Sequence, residues 1–387
     1  MPSVSIDLVP DLRLGGGAIE DLPGVLARLG AKHPLIITDK VMADLGYLPR
    51  LEAILQASGL GSGRFLDTVP EPTVACVEAG VSAYQSGSFD ALVALGGGSA
   101  IDTAKAMSAL IGSPGDMRDL KVPNMVHETA LPVIAIPTTA GTGSEVTRAT
   151  VITDEATDEK MLCMGPGLMP AAAIIDFELT LSLPARTTAD TGIDALTHAI
   201  EAYVSRKANP FSDQQAIGAM RLIAANIRTA FHQPDNRAAR EAMMAGATLA
   251  GMAFSNASVA LVHGMSRPIG AFFHVPHGLS NAMLLPTLTQ WSIPHAQQRY
   301  AQCARAMGLV EGGRDDAMAC QRLVEELAAL NAELNVPSLA EFGVVEDDYF
   351  KRLDIMAEQA AASGSPANNP RIPSHSEMIE LYKKVWR

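Results

Sequence analysis

At 387 residues, 48% of them hydrophobic and 18% charged, the chain is long enough for two domains of roughly 150 residues or more and too apolar to be disordered. Its formal net charge of −13 argues against a nucleic-acid ligand, because proteins that grip phosphate backbones concentrate Lys and Arg. No apolar run reaches the roughly 18 residues of a membrane span, and no basic segment leads into an apolar one at the N-terminus, so a cytoplasmic, unanchored protein is expected.

Residues 35–180 alternate between short β-rich runs and helical stretches, the pattern of βαβ units around a mostly parallel sheet. The clearest buried strands are residues 35–38, 91–95, 132–136 and 173–175, and cofactor loops belong at their C-terminal ends. The first strand runs into Asp39. A carboxylate there can accept hydrogen bonds from an adenosine ribose and repel a 2′-phosphate, or simply cap the next helix.

The second strand runs into Gly96-Gly97-Gly98-Ser99 and then into a helix carrying Asp102. Glycines let backbone N–H groups approach a pyrophosphate, and the helix start adds partial positive charge; a plain strand-to-helix turn is the other explanation. The third strand is followed by Thr138, Thr139, Gly141, Thr142, Gly143 and Ser144, whose hydroxyls can bond phosphate and ribose without adding charge.

After Pro184 the texture changes to long Ala-, Met- and Leu-rich helical stretches, so an α/β domain is expected over 1–184 and an all-helical one over 185–387. Within the latter, Asp194 and His198 stand four apart on one helix face, and His263 and His277 lie in apolar helical sequence, with His274 a competitor of His277. Each alone is equally a surface pair or a core histidine. Cys76, Cys163, Cys303 and Cys320 are too widely spaced for a disulfide framework or a thiolate zinc site, so any metal must be held by His and carboxylate.

Together these motifs, with Pro137 through Glu145, Gly251 through Ala257, His263-Gly264-Met265 and Pro276-His277-Gly278, resemble the iron-containing (group III) alcohol dehydrogenases over essentially the whole chain. The resemblance implies a Rossmann-like dinucleotide-binding domain followed by a helical, dehydroquinate synthase-like domain. It implies a metal held by Asp194, His198, His263 and His277, with His274 outside the ligand set, and NAD(H) among Asp39, Gly97, Gly98, Ser99, Thr138, Thr139, Thr142 and Lys160. It also implies a homodimer acting on a small alcohol or aldehyde. His and Asp ligation suits both Fe(II) and Zn(II), and the resemblance favours iron.

One position departs from the family pattern: Arg267 stands where a second histidine is expected four residues after His263. A guanidinium cannot shuttle protons near neutral pH but can clamp an anionic substrate, or it can pair with a nearby acid or the cofactor pyrophosphate. Glycerol dehydrogenase-like activity and hydroxyacid–oxoacid transhydrogenation are the rival enzyme functions, and an inactive NAD-binding scaffold the rival of another class.

Overall fold

The computed structural model describes residues 3–113, 115–311, 313 and 315–386. The chain divides into two compact units, Asp7–Leu183 and Met1–Ile6 with Pro184–Arg387. Residues 3–6, expected with the α/β part, thus group with the helices.

The first unit contains β1 (Leu12–Leu14), α1 (Leu22–Leu29), β2 (Pro34–Ile37), α2 (Lys40–Asp44), α3 (Tyr47–Ala57), β3 (Gly63–Phe65), α4 (Val74–Gln85), β4 (Ala91–Gly96), α5 (Gly98–Gly112), β5 (Val133–Pro137), β6 (Ala149–Asp154), β7 (Glu159–Met164) and β8 (Ala172–Ile175). Six strands form one parallel sheet in the order β1-β8-β5-β4-β2-β3. Alternation fixes its two faces: Leu35, Ile37, Leu92, Ala94, Val133 and Ala135 pack with α4 and α5 residues such as Val77, Ala104 and Met107. Ile36, Val93, Leu95, Ile134 and Ile136 point the other way, onto Leu22, Leu26, Leu51 and Leu55 of α1 and α3. Burial on both faces explains why these strands read as continuous apolar runs rather than as alternating ones.

The chain leaves β2 outward to β3 and returns to β4 on the other side of β2. The order therefore reverses between β2 and β4, the place where open α/β sheets bind ligands beyond their strand ends. An antiparallel hairpin, β6 with β7, pairs Thr153 with Lys160.

The second unit is built on α6 (Ala185–Val204), α7 (Pro210–His232), α8 (Arg237–Asn256), α9 (Leu261–Phe273), α10 (His277–Ser292), α11 (Gln297–Ala306), α12 (Asp316–Glu333), α13 (Leu339–Phe342), α14 (Glu346–Lys351), α15 (Leu353–Ala362) and α16 (His375–Val385). α6 is buried at sixteen of its twenty positions, from Thr188 to Val204, so side chains projecting from it in every direction meet protein. Among the described residues no single helix is long and apolar enough to cross a membrane.

All four cysteines are free and buried. Burial pushes the Cys163 thiol up to about 12 and the Cys320 thiol up to about 11. Since the thiolate is the nucleophile, the native protein at pH 8 is expected to react with a disulfide-exchange reagent at least about 100-fold more slowly than the denatured chain. A rapidly titrating native thiol contradicts this packing.

Candidate functional site

In the α/β unit, the expected nucleotide residues gather at the reversal point. Asp39 follows β2 and caps α2, its Oδ1 accepting from the Met42 N–H at 3.0 Å. Its Oδ2 makes no hydrogen bond among the described residues and lies 4.0 Å from where a side chain on Gly96 would begin. Both functions considered for Asp39 are therefore open to it at once, one per oxygen.

Helix α5 starts at Gly98, and Gly97 before it provides no side-chain cap, so the helix's positive end is left for another acceptor. A Cβ on Gly98 would stand 2.8 Å from Thr142 Cγ2, and one on Gly97 would be 3.4 Å from Thr139 Cγ2. The glycines thus let the hydroxyl-rich segment lie directly on the turn, and Thr138 N–H fastens it to the Gly96 carbonyl at 2.9 Å.

Lys160 reaches the same place through an ion pair: its Nζ is 2.8 Å from Glu71 Oε1, and the Glu71 N–H donates to Ser99 Oγ at 3.2 Å. Asp102 behaves differently from its neighbours in the motif. Its Oδ1 accepts from Ser144 Oγ at 2.5 Å and its Oδ2 from the Val151 N–H at 2.9 Å, so both oxygens brace the unit internally.

That bracing centres on Lys105, which is 1% exposed. Its ammonium donates to the carbonyls of Ser144 (2.6 Å), Thr147 (2.8 Å) and Ala149 (2.9 Å). Burial lowers the Lys105 ammonium to about 8, against the opposing attraction of Asp102 and Glu145. Burial likewise raises the Asp102 carboxyl, with Lys105 pulling it back.

In the helical unit, Asp194 and His198 from α6, His263 from α9 and His277 from the start of α10 offer one donor atom each within 4.8 Å of one another. Asp194 Oδ1 lies 3.9 Å from His198 Nε2, 3.4 Å from His263 Nε2 and 3.8 Å from His277 Nε2. Gly278 makes this convergence feasible, because a Cβ there would sit 2.4 Å from the Asp190 carbonyl oxygen of α6. His198 is stacked between Phe254 at 4.3 Å and His263 at 4.4 Å, which fixes its ring plane. His274 ends α9 in a left-handed conformation, exposed, and does not join the cluster.

Glu201, which is not among the expected site residues, completes the arrangement. Buried on α6, it accepts from the N–H groups of Ala260 (2.9 Å) and Val262 (2.6 Å) and from His263 Nδ1 (2.7 Å). A carboxylate on Nδ1 fixes the tautomer that turns the Nε2 lone pair toward Asp194, the usual support of a metal-binding imidazole. Glu201 is three residues past His198 and seven past Asp194, so the helical spacing 194, 198, 201 was its available signal.

Burial alone would raise the Asp194 carboxyl, but the imidazoles of His198, His277 and His263 hold it well below the usual range. Burial would lower His263, but Asp194 and Glu201 raise it. Three imidazole nitrogens and a carboxylate, converging in apolar surroundings and demanding positive charge, fit a divalent first-row metal ion. His277, whose side chain is 35% exposed, marks the accessible side of the cluster.

Arg267 lies one turn beyond His263 on α9. Its Nη1 donates to Ser365 Oγ at 2.9 Å, and burial lowers its guanidinium pKa to about 10 against the opposing pull of the Glu201 carboxylate.

Residues 10–177 match the model of iron-containing alcohol dehydrogenases, and residues 188–386 match the C-terminal model of the same family. Lactaldehyde reductase of Escherichia coli K12 is 36% identical over 375 residues, covering 96% of this chain and 97% of that protein. A crystal structure of 1,3-propanediol oxidoreductase superposes with a TM-score of 0.93 at 32% identity, covering 99% of this chain and 100% of the other. Sulfoacetaldehyde reductase from Bifidobacterium kashiwanohense, solved in complex with NAD+, gives 0.88 at 26% identity over 100% and 99% of the two chains. On the sheet, the clustered His and Asp donors and these matches, the chain belongs to the iron-containing alcohol dehydrogenase family.

Proposed function

We propose that this chain reduces small aldehydes, or oxidises the corresponding alcohols, with NAD(H) and a divalent ion, Fe(II), held by Asp194, His198, His263 and His277. The observation that carries this is the convergence of those four donors within 4.8 Å on three different helices. The ion supplies Lewis acidity to the substrate oxygen, and the dinucleotide supplies or accepts the hydride. The chain's own residues do the positioning: Glu201 holds His263 with its Nε2 turned inward, Phe254 holds His198, and Asp194 supplies the negative charge. Fe(II) is expected to restore more activity than Zn(II) to chelator-treated protein, and the reverse order refutes iron.

The loop of Gly96, Gly97, Gly98 and Ser99 with Thr138, Thr139 and Thr142 receives the dinucleotide phosphates, and Lys160 closes on it through Glu71. Asp39 selects NAD(H), since its unbonded Oδ2 suits a ribose hydroxyl and repels a 2′-phosphate. Asp39→Gly should lower the NADH-to-NADPH ratio of kcat/KM by about tenfold or more, a change of about 1.4 kcal/mol; an unchanged ratio removes Asp39 from this role.

A second substrate class is favoured by one observation: among the described residues the Arg267 guanidinium, one turn from His263, donates to Ser365 alone, which leaves donors for an anion. The related sulfoacetaldehyde reductase is named for such a substrate. Arg267→His is then expected to lose roughly 10- to 100-fold in kcat/KM on succinic semialdehyde while sparing propionaldehyde; equal losses on both assign Arg267 to support of Glu201.

A further inference from the structure

A carboxylate stands at the edge of the glycine turn, where negative charge works against the binding of phosphate. Glu71 lies between Pro70 and Pro72 and is held at φ 52°, a left-handed backbone that a residue with a side chain adopts when its surroundings impose it. Those surroundings are two other segments of the α/β unit. The Pro72 carbonyl accepts from the Thr153 N–H at 2.8 Å and Thr73 bridges to Thr153, which fastens the segment to β6. On its other side the Glu71 N–H donates to Ser99 Oγ at 3.2 Å, at the start of α5.

Lys160 faces Glu71 from β7, in register with Thr153. The lysine side chain is 7% exposed and that of Glu71 is 36% exposed, so the ammonium has less water to turn to than the carboxylate has. Lys160 Nζ and Glu71 Oε1 are 2.8 Å apart, yet that oxygen makes no aligned hydrogen bond. The pair is held by charge without the directional bond that strengthens the best ion pairs, and a stronger acceptor can displace it. A dinucleotide pyrophosphate, with two negative charges and several oxygens, is such an acceptor.

We propose that Glu71 competes with the dinucleotide phosphates for the Lys160 ammonium and so limits how tightly, and for how long, the dinucleotide is held. The proposal rests on the reading of the glycine turn as the phosphate site. Glu71 cancels the lysine's charge before the dinucleotide arrives, and repels the phosphates once they lie beside Ser99. An enzyme that exchanges its dinucleotide at every turnover gains from this, because release of a spent ligand commonly limits kcat.

The test is titration of the full-length protein with NADH, followed by nucleotide fluorescence, and with ADP-ribose, followed by displacement of NADH. Glu71→Gln keeps the size of the side chain, the backbone bond to Ser99 and the left-handed position, and removes the charge. It is expected to lower both Kd values by roughly 3- to 10-fold and to slow NADH dissociation by a similar factor. Lys160→Met is expected to raise both Kd values, and Glu71→Gln should gain less in that background than in the wild-type protein.

If Glu71 instead positions Lys160 for the phosphates, Glu71→Gln weakens binding as Lys160→Met does. That result overturns the proposal, and the sign of the Glu71→Gln effect decides even if Lys160→Met fails to fold. Unchanged Kd values in Glu71→Gln overturn it too, leaving a surface ion pair, and a gain with NADH but none with ADP-ribose overturns the competition for phosphate. Wild-type affinity in Lys160→Met overturns the proposal while leaving the glycine turn as the phosphate site. A wild-type protein that binds neither NADH nor ADP-ribose overturns the reading of that turn itself, and this proposal with it.

Discussion

Asp194→Ala is expected to leave the protein folded, without stoichiometric metal and with kcat reduced by about 1,000-fold or more. Asp194 is the single anionic donor in the cluster and stands 3.4 to 3.9 Å from all three imidazole Nε2 atoms. Its loss removes the charge that attracts a cation and the carboxylate partner of each ring. Lewis-acid stabilisation of a developing oxyanion is worth several kcal/mol, and each 1.36 kcal/mol is tenfold in rate. Metal analysis after gel filtration, alongside NADH oxidation, checks both parts. A variant that keeps its metal, or falls only a few-fold in kcat, places the chemistry elsewhere.

Lys105→Met is expected to destabilise the α/β unit by about 3–5 kcal/mol, the cost of stranding buried charge when one partner is removed. The ammonium ties helix α5 to the carbonyls of Ser144, Thr147 and Ala149 and lies beside Asp102 and Glu145. Methionine fills most of the volume but takes a donor from three carbonyls and the ammonium from beside Asp102 and Glu145. For a unit of this size the change corresponds to a thermal midpoint lowered by roughly 6 °C or more. The 144–149 segment continues the Thr138 to Gly143 loop, so KM for NADH should also rise. A shift under about 1 kcal/mol would mean that the lysine is not charged in the folded state.

The parts of this fold that local physics dictates were legible. The strands at residues 91–95 and 132–136 read as buried because both sheet faces are covered, and the glycine turn after Leu95 announced a strand running into a helix. The short edge strands β1 and β3, three residues each, carry too little pattern to be seen. The hairpin of β6 and β7 was hidden because its connection, Glu155 to Asp158, is exposed and polar and its strands are only half buried.

The four-donor cluster divides similarly. Asp194 and His198 share a helix face, which spacing reveals, whereas His263 and His277 come from other helices and were joined to them only by the family resemblance. Lys105 looked like any helical lysine, because burial and its three carbonyl acceptors are tertiary facts. Asp102 was taken with the glycine motif because it lies one turn into the helix. In the structure the Ser144 hydroxyl and the Val151 N–H each donate to one of its oxygens, a pairing between distant segments that spacing cannot show.

Metal-dependent hydride transfer is tested by following NADH oxidation by anaerobically Fe(II)-loaded protein with propionaldehyde and succinic semialdehyde, before and after chelation. One alcohol is expected to form per NADH consumed, with turnover lost on chelation and restored by Fe(II). Turnover that survives complete removal of the metal, or none with any aldehyde at full Fe(II) occupancy, contradicts it.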